Sequence, residues 1–360
     1  MNATTKPDGL VPAVDGDDRA SRRFTRVFLA ALAAGLALSA TLAWYTDPLR
    51  TFGTGHAGSF LTVEFDLKPE AFLRLDPSPQ AIVLGTSRVM KLKPECITEL
   101  TGYTAFNFGL TSSRVEDWSA AYRFVRAEGH APIRQLVIGA DIDGFDNHAA
   151  TEPRLLSSVH LRRYLDDSWN MSWGVAARAL FGWQAFKYGM LLMWYQVHPS
   201  SRPAPKMSFD PRGFVLYDYW ERMIREGKAD RDDAFDKNAG KLRDQLSGRG
   251  FDALSPRRVA LFQDLVRTAH AEGATIDVFI PPLTSEFAGL RSGPIESRIA
   301  DLEAMLSGLE REGTIRLFRV HSIADFHGDP AGYYDGLHMT EDNATRLLLT
   351  MFHREHGCGH

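Results

Sequence analysis

Cysteine is scarce: the 360 residues hold two, Cys96 and Cys358. Neither stands in a C-x-x-C pair or another metal-spaced cluster, so the sequence offers no disulfide framework and no zinc site. Cys358 lies in a closing His-Gly-Cys-Gly-His stretch. That composition has metal-scavenging chemistry, but at a chain end it reads first as a frayed tail. A charge excess is missing too: 41 Lys and Arg stand against 45 Asp and Glu, a formal net charge of -4. So balanced a chain makes no general electrostatic case for nucleic acid. There is no P-loop lysine motif, no H-E-x-x-H and no internal repeat. The single G-x-G-x-x-G, from Gly53 to Gly58, lies in a Gly- and Pro-containing stretch and not between a strand and a helix, so it does not carry the dinucleotide fingerprint, and neither cofactor nor metal is expected.

Long hydrophobic runs are also rare, with one exception. Residues 1–20 are polar and rich in Asp, Gly and Ala, and read as disordered; Arg22, Arg23 and Arg26 follow. From Val27 to Tyr45 the chain then runs without a charge, long enough to cross a hydrocarbon core as a helix. Trp44 and Tyr45 close it, where aromatic rings favour the membrane interface. The arginines precede the span and the far flank is balanced, so the positive-inside rule puts the N-terminus in the cytoplasm and the remainder outside. A cleaved signal peptide competes, with Ala37-Leu38-Ser39 as its weak cleavage site. The run is longer than a signal core, which favours an uncleaved single-pass anchor in the cytoplasmic membrane. Either way the globular part is exported, to the periplasm or its equivalent.

After this anchor (27–45, preceded by a cytoplasmic tail, 1–26), residues 46–78 hold Pro48, Gly53, Gly55, Gly58, Pro69 and Pro77 and read as an extended linker. An α/β domain is expected over 79–357. Ala81–Leu84, Thr104–Gly109, Leu136–Gly139, Thr275–Ile280 and Ile315–Val320 are short apolar runs suited to buried parallel strands. Helical patterns alternate with them at Pro94–Leu100, Asp117–Glu128, Pro256–Glu272, Glu296–Arg311 and Thr340–His353. Such alternation predicts a parallel sheet with right-handed crossovers. Residues 150–255 break the rhythm as an insertion. Within it Ser172–Tyr195 reads as one strongly apolar helix, interrupted by Arg178 and Lys187. The charges argue against a second span and for a cap over the site or a helix near the bilayer. Pro203–Arg249 is polar and reads as a solvated loop.

Two stretches carry chemistry. Ala81-Ile82-Val83-Leu84 runs into Gly85-Thr86-Ser87-Arg88, which places Ser87 beyond the carboxyl end of a strand, where α/β sheets bind ligands. Tyr334-Asp335-Gly336-Leu337-His338-Met339 precedes the last helix. A serine hydroxyl is a poor nucleophile without a base. His338 can take the Ser87 proton and return it to a leaving group, and Asp335 can orient the imidazole and stabilise its charged form. His321 and His327 are weaker candidates for the cleft. Tyr333 and Tyr334 suit either stacking on a sugar ring or packing against the closing helix.

Together these residues resemble the SGNH hydrolase family, also called GDSL-like, of the membrane-anchored bacterial type, over about residues 79–355. Gly85-Thr86-Ser87 is similar to the family's first block, with Thr for the usual Asp, and Asp335 and His338 to its last. Asn107-Phe108-Gly109 is similar to its second block, in which the Gly109 N–H and the Ser87 N–H hold an oxyanion. The resemblance implies a three-layer, flavodoxin-like parallel sheet and a serine esterase or O-acyltransferase without a cofactor. Its substrates would be acyl groups, acetyl foremost, on cell-surface polysaccharide, with envelope polysaccharide machinery as a partner. The third block departs: Gly139-Ala140-Asp141-Ile142 stands where the family has Gly-x-Asn-Asp. An ionised Asp141 repels a developing oxyanion. Several resolutions stay open: a protonated Asp141 that donates, Arg88 supplying charge or pairing with Asp141 or Asp143, or Asn107 or Asn147 taking the role. Asp141 and Asp143 can also serve only to anchor a loop by Asx turns. The departure admits an inactive scaffold or carbohydrate-binding subunit as the alternative function.

Overall fold

A computed structural model describes residues 18–56, 64–166, 168–202, 207–217, 219–228, 230–232, 236–237, 251–282 and 294–358. The polar N-terminal tail up to residue 17 and most of 233–250 lie outside the described residues. Five parallel strands form the central sheet: β1 (Ala81–Gly85), β2 (Ala105–Asn107), β3 (Gln135–Gly139), β6 (Thr275–Phe279) and β7 (Arg316–Phe318), in the order β2-β1-β3-β6-β7. The chain leaves β1 for β2 on one side and then crosses back to β3 on the other. That reversal opens a crevice beyond the carboxyl ends of β1 and β3.

The strands are mainly apolar because both faces of the sheet are covered; Asp277 interrupts β6, where it is buried and paired with Arg316 of β7. Ile82, Leu84, Leu136, Ile138, Ile276 and Val278 point into one core, shared with α4 (Val115–Glu128), α9 (Pro256–Ala271) and α10 (Pro294–Arg311). Ala81, Val83, Ala105 and Val137 point into the other, shared with α3 (Pro94–Thr101) and α11 (Glu341–Met351). The alternation is the period-two geometry of a strand. Thr340 caps α11 by accepting from the Asn343 N–H.

Four features depart from the sequence-based expectations. The linker is not simply extended: it contains α2 (Glu64–Leu73), whose Phe65 and Phe72 are buried in the first core. Pro69 inside α2 leaves the Phe65 carbonyl without its helical donor, and the Ser158 hydroxyl donates to that carbonyl at 2.9 Å. The long apolar helix of the insertion is two helices, α6 (Trp173–Phe181) and α7 (Trp183–Val197), separated at Gly182, which has extended backbone. Their packing partners are each other and the N-terminal helix α1 (Asp18–Thr46). The stretch read as a solvated loop carries a hairpin, β4 (Ser208–Phe209) with β5 (Val215–Tyr217), and α8 (Tyr219–Arg225). A short α5 (Pro153–Ser157) precedes them.

The fourth departure corrects the reading of the cysteines. Cys96 and Cys358 form a disulfide across 262 positions. Packing of α11 against α3 returns the tail over the helix that carries Cys96, and the Cys358 N–H donates to Glu99 Oε2 at 2.8 Å. The tail is therefore tied down at Cys358 rather than frayed. Finally, α1 is long and apolar enough to span a membrane, and its residues before Ser39 are exposed among the described residues.

Candidate active site

The turn after β1 is shaped by Gly85 and Val89. Gly85 has φ +149, a conformation that a side chain disfavours. The chain then enters a single 3₁₀ turn, Ser87–Val89, in which Thr86 Oγ1 accepts from the Arg88 N–H. The turn folds Val89 down over the strand ends. A Cβ on Gly85, Gly109 or Gly139 would lie within 3 Å of a Val89 methyl. The glycines that close three successive strand segments thus form one seat for one valine, and Ser87 is raised above it.

His338 arrives from the other end of the chain. Ser87 Oγ and His338 Nε2 are 2.8 Å apart, and His338 Nδ1 is 2.7 Å from Asp335 Oδ2. A carboxylate only accepts, so the ring proton belongs on Nδ1, and Nε2 is left to accept from the serine hydroxyl. Asp335 is wholly buried, while Ser87 and His338 are half-buried and open to a substrate. Burial alone would raise the Asp335 carboxyl. The His338 charge and the hydrogen bonds from the His338 ring, the His338 N–H and the Leu337 N–H outweigh burial and hold it below the usual carboxylate range. The three residues expected to act together are therefore brought together, although 251 positions separate Ser87 from His338.

The expected oxyanion residues arrange differently. The Gly109 N–H donates to Asn107 Oδ1 at 2.9 Å. The Asn107 amide nitrogen donates to the Val89 and Leu92 carbonyls, each at 2.8 Å. Asn107 thus shapes the turn and has no donor left for a substrate. Asp141 is buried and accepts on both oxygens: from Thr86 Oγ1 at 2.9 Å and from Arg88 Nη1 at 3.0 Å. It acts as an anchor for Arg88, so of the alternatives for this position the ion pair is the one observed. Arg88 also donates to the carbonyls of Pro281 and Pro282, which leaves its guanidinium fixed beside Ser87. Asp143 is half-buried, and burial together with the neighbouring Asp141 pushes its carboxyl up to about 7. Asn147 is engaged elsewhere, donating to Asp252 at 2.7 Å. His321 faces Glu303 on an exposed surface, and His327 caps a short turn before the triad loop. Tyr333 is buried with the closing helix, which favours packing over stacking.

Three further residues build the site without leaving a mark in the sequence. Lys68, on α2, is 1 % exposed and donates to the carbonyls of Asn107 at 3.0 Å and Gly109 at 2.7 Å. Burial lowers its amine to about 7. Arg231, from the insertion, donates to the carbonyls of Tyr333 at 2.8 Å and Pro330 at 2.5 Å, bracing the loop that carries Asp335. Lys91 pairs with Glu221 at 2.8 Å and lies over the rings of Phe214 and Tyr334. Its packing ties the β4–β5 hairpin to the triad loop. None of these belongs to a motif; each works through backbone carbonyls or rings that only the folded chain brings near.

Comparison with known proteins finds no family model and no curated relative that matches this chain. Among the described residues no group of three or more His, Cys, Asp and Glu is spaced to hold a metal ion.

Proposed function

We propose that this chain is a membrane-anchored, outward-facing SGNH-like serine esterase or O-acyltransferase with a flavodoxin-like domain. The observation that carries this reading is the continuous hydrogen-bonded relay from Ser87 through His338 to the buried Asp335. Ser87 Oγ attacks an acyl carbonyl as His338 Nε2 takes its proton. Asp335 holds the imidazole in the required tautomer and stabilises the imidazolium. The proton then passes to the leaving oxygen. Water or a sugar hydroxyl, deprotonated by His338, then attacks the acyl carbon; the bond to Ser87 Oγ breaks and Ser87 regains its proton from His338. The Ser87 N–H and the Gly109 N–H serve the oxyanion, the latter by sharing its bond to Asn107 Oδ1. The fixed Arg88 guanidinium adds positive potential beside Ser87.

The two departures from the family's pattern touch each other: Thr86, in place of Asp, donates to Asp141, in place of Asn. They read as one compensated exchange rather than two losses. The disulfide suits an oxidising, exported compartment, in keeping with α1 as an anchor and the remainder in the periplasm. Acyl groups on cell-surface polysaccharide are the substrate class this reading assigns, by family analogy.

Ser87→Ala tests it. The variant is expected to keep its fold and lose turnover of p-nitrophenyl acetate, and a fluorophosphonate is expected to label the wild-type chain at Ser87 alone. An unlabelled, inactive wild-type chain would support the second reading, a non-catalytic scaffold of an envelope polysaccharide complex. What favours that reading is the engagement of the Gly109 N–H by Asn107.

A further inference from the structure

Among the described residues, the insertion helices present an exposed apolar surface. Trp173 is 91 % exposed, Trp183 72 %, Trp194 54 %, Met190 52 % and Val197 73 %. Trp183, Met190, Trp194 and Val197 recur at helical spacing along α7, so they form one face. A patch of this kind on a monomer marks a contact surface.

Its position on α1 names the contact. Gly189 of α7 sits so close to α1 that a Cβ would lie 2.9 Å from Thr46 Oγ1 and 3.3 Å from Leu42 Cγ. Ala43 and Thr46 are fully buried beneath the insertion helices and the adjoining turn, whereas α1 is exposed all round before Ser39. The charge-free run Val27–Tyr45 rises roughly 28 Å as a helix, barely the ~30 Å of a hydrocarbon core. That core must therefore take in the run to its end. The segment from Ser39 to Tyr45 occupies the last ~9 Å of it. Whatever packs there lies at the boundary between acyl chains and headgroups.

Charge agrees with depth. Between Ser168 and Phe209 there is no acidic residue, and the cations are Arg178, Lys187, Arg202 and Lys206. Lys187 lies on the exposed apolar face of α7, where its long stem can lie along apolar surface with the ammonium at the headgroups. Exposed tryptophans with only basic companions suit the interface of a bilayer containing anionic lipid.

We propose that α6 and α7 form a second membrane contact. They seat Trp173, Trp183, Met190 and Trp194 in the leaflet nearest the globular domain, beside α1. This rests on α1 being a membrane anchor, and it is independent of the chemistry at Ser87. The domain is then held at a fixed height and orientation, by one spanning helix and one hairpin lying in the interface, rather than swinging on a stalk.

The test uses the full chain, purified in detergent and reconstituted into phosphatidylcholine vesicles with a minority of phosphatidylglycerol. A nitroxide is attached singly at Leu38→Cys, Trp183→Cys, Trp194→Cys or Asp264→Cys, the Cys96–Cys358 bond left intact. Collisions with oxygen report lipid, and collisions with a water-soluble nickel chelate report water. Asp264, exposed on α9, is the aqueous reference and Leu38 the lipid reference. The expected result is an oxygen-to-nickel ratio at 183 and 194 several-fold above that at 264 and of the order seen at 38. Aqueous values at 183 and 194 with a lipid value at 38 would overturn the proposal and leave the anchor standing. Aqueous values at all three would overturn both. Labels at 183 and 194 shielded from both reagents would mean that protein, such as a second copy of this chain, covers the face, and would equally overturn it.

Discussion

Asp335 has no solvent-facing surface, and its two oxygens take hydrogen bonds from the His338 ring, the His338 N–H and the Leu337 N–H. Asp335→Asn keeps the shape but offers a donor where the ring needs an acceptor, which favours the wrong tautomer. Activity on an activated ester is expected to fall by on the order of 10⁴, as when a triad aspartate is amidated, with the far-ultraviolet circular dichroism unchanged. A fall of tenfold or less would remove Asp335 from the relay. The depressed Asp335 carboxyl also has a stability consequence. A carboxyl held lower in the folded chain than in the unfolded one stabilises the fold above its ordinary value, about 3.9, and that stability is lost as pH falls through the folded value. Urea midpoints are expected to drop below about pH 4 in the wild type, and less steeply in Asp335→Asn. Lys68 has the opposite arithmetic. Its amine is held near 7, far below its unfolded value, so the unfolded chain binds the extra proton above pH 7. Stability from this group therefore rises with pH between about 7 and 10. Lys68→Met is expected to abolish that rise and, by freeing the Asn107–Gly109 turn, to lower kcat more than it raises KM.

At the scale of elements, the seat for Val89 gives a sharp expectation. Gly139→Ala would place a methyl 2.3 Å from Val89 Cγ1, and overpacking of this kind costs about 1–3 kcal/mol. Val89→Ala in the same chain should return part of that loss, measured by denaturant unfolding of the two single variants and the double. Strictly additive losses would mean that the clash is relieved elsewhere. These elements also show which features the sequence carries on its surface. The sheet strands are legible from their apolar residues, unbroken in β1 and, after Gln135, in β3, though Asp277 interrupts β6 and Arg316 opens the partly exposed β7. Ser87, Asp335 and His338 are legible because they stand at strand and helix ends. The break at Gly182 is not, since Trp173–Phe181 and Trp183–Val197 are equally apolar and only backbone dihedrals separate them. Helix α2 is hidden by Pro69, whose missing N–H leaves the Phe65 carbonyl to a side chain 93 positions beyond Phe65. The Arg88–Asp141 pair was among several open partners for that aspartate, and only the crevice between β1 and β3 selects it.

For the whole molecule, α1 and the closing disulfide set the terms. Carbonate at high pH strips peripheral proteins but not a spanning helix, so the full chain is expected to stay with the membrane pellet and to begin at its encoded N-terminus. Recovery in the supernatant as a chain starting near Ser39 would favour a cleaved leader. The sequence shows the apolar run plainly because it is continuous, and most of α1 is exposed among the described residues. It cannot show the bond between Cys96 and Cys358, because that proximity is a product of α11 packing on α3. Cys358→Ser is expected to lower stability by roughly 2–4 kcal/mol, read as a lower unfolding midpoint that reductant then no longer shifts.

That bond has a bearing on chemistry as well as on strength. α3 is the first helix after Ser87, and α11 begins three residues past His338. The sulfur rivet thus joins, from behind, the two arms whose tips must meet for a proton to pass. If the proposed acyl chemistry and export hold, a copy of the chain folded in a reducing compartment would lack this fastening between the two arms.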